Sequence, residues 1–363
     1  MAPTQGEIGG ARAMAASPRV RGGVGRVLAW LLGLCAGLLA CVWLAFQLSP
    51  WPSVLLIRHA FGEGAREASE ALEKHVPGDI REWRDLRYDS ADPDALLDFY
   101  APAGATRPLT TVVWIHGGAF ISGDKQDVAN YARVLAGQGF AVASVQYTLA
   151  PEAQYPTPVH QANRALGWLV TQADDLPVDP ARLVLAGDSA GAQVAAQLAA
   201  ALSSEAYAQE VGIAPALPPG QLAGALLYCG PFDASLADAE GDFGDFLRTV
   251  FWSYFGEKDF LGSPVAEQFS VPRHVTADFP ATFISAGNGD PLLAHSLALA
   301  EALGKAGAPV ETLFFPAGLS PALGHEYQFD LDSDAGRQAL ARSVSFLSRL
   351  RGGQSSSGAA GGT

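Results

Sequence analysis

The chain has 363 residues, of which 49% are hydrophobic and 17% charged. A chain this apolar can bury a large core, so wholesale disorder is excluded, and three cysteines cannot staple a scaffold of this size. The net charge of −14 has the wrong sign for a nucleic-acid binder, whose phosphate contacts come from Lys and Arg.

The charge is unevenly placed. Residues 1–52 hold Arg12, Arg19, Arg21 and Arg26 against Glu7 alone, a net of +3, which leaves −17 to the other 311 residues. Residues 1–26 read as a basic leader and 27–48 as a transmembrane anchor. Val27 to Phe46 is twenty residues without a charge. As a helix it is about 30 Å long, the thickness of a bilayer's hydrocarbon core. Trp30, Trp43 and Trp51 lie toward its ends, and the outer two suit the headgroup interface. A cleaved signal peptide is the main competitor, but its apolar region is usually shorter and ends in a small-residue cleavage site. A lipoprotein signal ending at Cys41 is a second, weakened by the apolar residues that follow it. The arginines all precede the span, so the positive-inside rule puts the N-terminus in the cytoplasm and the body on the periplasmic or lumenal side. Ala29, Gly33, Gly37, Cys41 and Ala45 make a small-residue stripe, the kind through which two spans pair into a homodimer. A chain rich in Ala and Gly everywhere produces such stripes without pairing.

Residues 49–86 are a linker with an amphipathic helix at 53–75, a candidate N-terminal cap. From there strand and helix signals alternate. Strands are expected at 96–100 and at 110–115, the second stopping at His116-Gly117-Gly118. A helix over 131–138 ends at Gly139, and 140–145 is a buried strand. A helix over 158–173 precedes a strand at 182–186. Later strands fall at 223–228, 281–286 and 310–315, with a last helix over 334–350. The alternation implies a mostly parallel sheet covered by helices on both faces, whose strands read as continuous apolar runs. The body is placed at 87–351. Within it 233–275 breaks the rhythm and is rich in aromatics, so it reads as a small helical cap insertion. Residues 352–363 are a flexible Gly/Ser tail.

Gly187-Asp188-Ser189-Ala190-Gly191 follows a strand and opens a helix, the context a G-x-S-x-G nucleophile turn requires. The turn is so tight that the neighbours of Ser189 must be small. His116-Gly117-Gly118-Ala119-Phe120 follows an earlier strand, and its glycines can turn backbone N–H groups toward a ligand. Gly117, Gly118 and Ala190 are the expected oxyanion donors. His116 reads as a structural residue of that loop. A serine nucleophile needs a base and an orienting acid, in this fold in the order Ser, Asp or Glu, His. After Ser189 only His274, His295 and His325 remain. His274 sits in the aromatic insertion, and His295 is expected on a helix facing solvent or packing. His325 follows the last strand, where the base belongs. Asp290 follows the strand at 281–286 and is the expected acid; Asp332 and Asp334 come after the histidine and fit poorly. Phe120 and Trp252 are candidate pocket residues, although the aromatics of the insertion equally suit its own core.

With HGGAF at 116–120, YTLAPE at 147–152, GDSAG at 187–191, GDPLL at 289–293 and His325 in order, the chain resembles the hormone-sensitive-lipase-like carboxylesterases of the α/β-hydrolase superfamily over about residues 95–350. The resemblance implies hydrolysis of short- to medium-chain esters through an acyl-enzyme on Ser189, with no metal and no cofactor. The family often carries a second acid just after the DPL segment, where this chain has Ala294 and His295. Its members are mostly soluble, and a membrane-attached relative of the prenylcysteine methylesterase type is one alternative. An amidase, formamidase or peptidase-like enzyme would use the same three residues. A non-catalytic binding module would normally have lost one of them, and here all are present.

Overall fold

The structure, a computed structural model, describes residues 21–241 and 243–352. The leader up to residue 20, with Arg12 and Arg19, and the tail after 352 lie outside the described residues. The chain divides into two units, Met1–Ser49 and Pro50–Thr363.

The first unit contains helix α1 (Arg21–Leu48). Its segment Gly25–Leu48 has a mean hydropathy of 2.4 and buries none of its most apolar window, so it is long and apolar enough to cross a membrane. An N-terminal signal sequence passes the same test. Ala29, Gly33, Gly37 and Cys41 share one side of this helix.

The second unit opens with α2 (Trp51–Leu72), started by Pro52 near its N-terminus, a position where the missing N–H costs nothing. The sheet has eight strands: β1 (Ile80–Arg87), β2 (Leu96–Pro102), β3 (Leu109–Ile115), β4 (Ala141–Val145), β5 (Val178–Asp188), β6 (Leu222–Tyr228), β7 (Thr282–Ala286) and β8 (Val310–Phe314). Their spatial order is β1-β2-β4-β3-β5-β6-β7-β8. From β4 to β8 every pairing is parallel, whereas β1–β2 and β2–β4 are antiparallel.

The strands predicted from apolar runs are all present. Strand β1 was not expected, and it begins before the boundary read at residue 87. It is an edge strand whose Arg81, Glu82, Arg84, Asp85 and Arg87 leave no apolar run to detect. Charges on an edge discourage further strand addition. In the central strands successive residues enter opposite layers. Val113, Ile115 and Leu185 join one core, and Val112, Trp114 and Val184 the other. Both faces are dry, which is why these segments lack polar alternation.

Helices α3 (Ala129–Gly137) and α10 (Asp334–Gly352) cover one face, and α4 (Thr157–Thr171) and α5 (Ser189–Ser203) the other. Helix α5 is buried from Ser189 to Leu202, because its alanines let it press close to the sheet. The short α6 (Glu205–Val211) follows it. Above the carboxyl ends of the strands lie α2 and the 233–275 insertion, which folds as α7 (Gly244–Phe255) and α8 (Pro264–Phe269). Phe61 of α2 meets Phe246 of α7 with ring centroids 5.6 Å apart. Helix α9 (Leu293–Ala306) connects β7 to β8.

Candidate active site

The site grows out of the sheet's topology. Strand β3 is followed by β4 on one side of it, while β5 pairs on its other side. Open α/β sheets bind ligands at such reversals, beyond the carboxyl ends of the strands. Ile115 at the end of β3 lies in register with Gly187 at the end of β5. The HGGA loop and the GDSAG turn therefore emerge side by side.

The GDSAG turn has little room. Ser189 has φ +50°, a left-handed conformation that an L-residue adopts only under constraint. A Cβ on Gly191 would stand 2.0 Å from the Ile115 carbonyl oxygen, and one on Gly187 2.5 Å from the Gly191 carbonyl carbon. Only glycine lets β5 turn into α5 this tightly against β3.

His325 and Asp290 arrive from the loops after β8 and β7. His325 Nε2 lies 2.9 Å from Ser189 Oγ, and its Nδ1 lies 3.0 and 3.1 Å from the two Asp290 oxygens. An ionised carboxylate only accepts, so Nδ1 carries the proton and Nε2 is left to accept from the serine. The Asp290 side chain is fully enclosed, while 32% of the His325 side chain stays open on the cavity side. Burial acts to lower the His325 pKa, but the Asp290 hydrogen bond and the adjacent Glu326 act against it and hold it well above 6.5.

The oxyanion loop differs from expectation at one position. The Gly117 N–H donates to Asp188 Oδ2 at 2.9 Å, so it is committed inside the protein. Gly118 and Ala119 border the smaller cavity beside Ser189, and Ala119 and Ala190 border the larger one. Gly118 has φ +103°, and a Cβ there would stand 2.2 Å from the Ser122 carbonyl oxygen. Ala119 and Phe120 are also left-handed, at +54° and +63°. The loop is pinned from several sides. Tyr147 of the YTLAPE segment donates from its hydroxyl to the His116 carbonyl at 3.2 Å. His116 stacks on the Tyr147 ring at 4.3 Å and is buried; burial lowers it to about 4, so it is a neutral structural residue, as its sequence suggested.

Three groups beside the site were not anticipated. Asp188 also accepts from Trp114 Nε1 at 2.7 Å, and burial, then the adjacent Glu326, raise its carboxyl well above the usual range. Glu326 reaches within 3.8 Å of His325 Nε2. Cys229 is buried at the end of β6, and burial raises its thiol. Its Sγ, an Asp290 oxygen and a His325 nitrogen lie within 4.8 Å of one another, the one three-ligand cluster among the described residues. It does not suit a metal, because His325 Nδ1 is spent on Asp290 and a raised thiol is a poor ligand. Asp188 and Glu326 adjoin motif residues, so proximity in sequence was the available clue. Cys229 had none.

Two cavities meet at Ser189 and His325. The larger, about 500 Å³, is apolar and bordered by Phe61, Phe120, Leu247, Val250 and Leu292. The smaller, about 310 Å³, is more polar and runs past Gly64, Ser122, Asp127 and Glu326. Phe120 lies in the larger wall, stacked on Tyr254 at 4.0 Å. Trp252, the other expected pocket residue, borders neither cavity. It lies on the outer side of α7 with Lys258 Nζ 4.2 Å from its ring. The insertion aromatics divide: Phe243, Phe246 and Phe251 border the cavity, while Tyr254, Phe255 and Phe260 pack with Phe251 as the cap's core. For His295 the structure decides between the two expected environments. It is 4% exposed and borders the larger cavity rather than facing solvent.

The family described as the alpha/beta hydrolase fold matches residues 112–319, more than half of the chain. Carboxylesterase NlhH of Mycobacterium tuberculosis is 30% identical over 277 residues, 74% of this chain and 82% of that protein. Esterase LipI of the same organism is 30% identical over 213 residues, 58% of this chain and 64% of LipI, just under two thirds of its length. Among solved structures, esterase LipW of Mycobacterium marinum superposes with a TM-score of 0.65 at 26% identity, covering 83% of this chain and 90% of that one. Esterase B of Lactobacillus rhamnosis, at 24% identity, shares the fold with a TM-score of 0.71 over 82% of this chain and 98% of its own. The ordered motifs, the sheet and these relatives agree: the chain belongs to the α/β-hydrolase family, in its hormone-sensitive-lipase-like esterase branch.

Proposed function

We propose that the chain is a membrane-anchored serine esterase that hydrolyses short- to medium-chain carboxylic esters through an acyl-enzyme on Ser189. The observation that carries this is the continuous relay from Ser189 Oγ through His325 to Asp290. In the first step Ser189 Oγ bonds to the ester carbonyl carbon and its proton passes to His325 Nε2. The carbonyl oxygen becomes an oxyanion held by the amides of Gly118, Ala119 and Ala190. When the tetrahedral species collapses, the C–O bond to the alcohol breaks and the alcohol leaves with the proton from His325. Water then attacks the acyl group, giving its proton to His325, and the acid departs as Ser189 recovers its hydrogen. Asp290 keeps the imidazole in the reactive tautomer and stabilises its cation. The cavities of about 500 and 310 Å³ support chains of modest length on the two sides of the ester.

The apolar Gly25–Leu48 helix supports a retained anchor. Arginines confined to its N-terminal side support a cytoplasmic N-terminus with the hydrolase on the opposite side. Two such helices would pack through the Ala29–Gly33–Gly37–Cys41 side into a homodimer.

Full-length protein in detergent is expected to hydrolyse p-nitrophenyl butyrate and to label with a fluorophosphonate. Ser189→Ala should lower the rate by about 10⁴ or more. An equal rate in that variant would overturn the assignment. A reporter fused to the C-terminus tests topology, and a cytoplasmic signal would contradict the proposed orientation.

A further inference from the structure

The larger cavity is mainly apolar; besides Ser189 and His325 its wall carries Asp238 and His295, and the hydrogen bonding of His295 is settled by its surroundings. The backbone N–H of Asp233 donates to His295 Nδ1 at 3.2 Å. Nδ1 therefore carries no proton. Burial lowers the imidazole to about 4, so it is neutral under working conditions. A neutral imidazole with an accepting Nδ1 bears its one proton on Nε2. That N–H has no partner among the described residues, although the side chain is nearly buried in the wall of a cavity that also contains Ser189 and His325. A donor open to such a cavity exchanges a water contact for a ligand acceptor, whereas a ligand that displaces the water without offering an acceptor leaves the donor unpaired.

We propose that His295 Nε2–H is a substrate-recognition donor, and that the larger cavity selects esters whose chain carries an acceptor oxygen, such as a ketone or second ester carbonyl, over plain alkyl esters. This rests on the esterase reading and narrows its substrate class. The surrounding wall of Phe61, Phe120, Leu247, Val250 and Leu292 holds the rest of the chain by apolar contact. An alkyl chain fills the same volume but leaves the N–H unpaired. The donor sits in the first turn of α9. Residue 295 is thus a specificity residue and takes no part in bond making.

The test compares kcat/KM for isosteric pairs in detergent-solubilised full-length protein. For the acyl limb the pair is p-nitrophenyl 5-oxohexanoate and p-nitrophenyl hexanoate. For the alcohol limb it is 4-oxopentyl butanoate and pentyl butanoate. In one limb the wild type should favour the ketone, relative to hydroxide-catalysed hydrolysis of the same pair, by about three- to tenfold, the range one neutral hydrogen bond supplies. His295→Asn keeps an acceptor near Nδ1 for the Asp233 amide but removes the distal donor, and should abolish that preference. His295→Gln places an N–H₂ near the Nε2 position and should retain much of it. No ketone preference in either limb of the wild type overturns the proposal, even if both variants fail to fold. A preference that survives intact in His295→Asn also overturns it. A wild type inert toward all four esters, yet labelled by a fluorophosphonate, instead overturns the esterase reading and this proposal with it.

Discussion

Arg58 of α2 grips Glu152 of the YTLAPE segment through two parallel contacts, Nη1 to Oε1 at 2.7 Å and Nη2 to Oε2 at 2.5 Å. The same guanidinium donates to the carbonyls of Ile121 at 2.6 Å and Ala150 at 3.0 Å. One side chain thus ties the first cap helix to the loop after the oxyanion glycines and to the segment that pins that loop. The carboxylate of Glu152 is held below its ordinary value by this bond.

The arrangement predicts different costs for the two partners. The ion pair itself is partly exposed and contributes about 0–1 kcal/mol. The two carbonyl bonds of Arg58 add about 1 kcal/mol each. Glu152→Gln should therefore cost under about 1 kcal/mol, and Arg58→Ala about 2–3 kcal/mol. Because α2 borders both cavities, Arg58→Ala should raise KM more than it lowers kcat. Thermal melts and steady-state kinetics check both statements.

The pH profile follows from His325. Only its neutral form accepts the Ser189 proton, and its pKa is held well above 6.5. Activity should rise with pH along a limb whose midpoint lies above 6.5, and fall away on the acid side as the imidazolium accumulates. Asp290→Asn removes one cause of the upward shift, so the limb should move to lower pH. The same change should cost about 10³–10⁴ in kcat through the wrong tautomer. A kcat/KM profile in each variant reads both effects.

The oxyanion loop predicts a contrast between two glycines. Gly118→Ala forces an L-residue to φ +103° and its Cβ against the Ser122 carbonyl at 2.2 Å. The amides of Gly118 and Ala119 would shift together, and kcat should fall by about 10²–10³. Gly191→Ala drives a Cβ to 2.0 Å from the Ile115 carbonyl, between two central strands. Its main effect should be on stability, of roughly 3 kcal/mol. Denaturant melts together with fluorophosphonate labelling separate the two outcomes.

Chain-length preference tests the placement of the aromatics. Phe120 lines the larger cavity, and Trp252 lies outside both. Phe120→Leu should shift the optimum of a p-nitrophenyl acyl series toward longer chains. Trp252→Ala should leave that optimum where it is. A shift in the Trp252 variant alone would mean that the substrate path runs along the outside of α7.

The sequence by itself determined the elements whose signal is local. Buried central strands are continuous apolar runs, since each residue enters a dry layer on one face or the other. The nucleophile turn is legible because steric crowding demands Gly187, Ala190 and Gly191 in fixed positions around Ser189. The order of Ser189, Asp290 and His325 named the relay before any distance was known. The apolar span also announced itself, being a property of twenty consecutive residues.

The tertiary structure decided everything that depends on residues far apart in the chain. Strand β1 forms only because β2 offers it an edge, and its charged sequence carries no apolar pattern. The Gly117 amide is claimed by the carboxyl of Asp188, 71 residues away. The latch between Arg58 and Glu152 spans 94 residues and has no periodic signature. His295 was left between solvent and packing because a helix position alone does not say what packs over it. Burial, tautomer and the cavity around it are properties of the assembled cap and sheet, and they place a helix histidine in the cavity wall that it shares with Ser189.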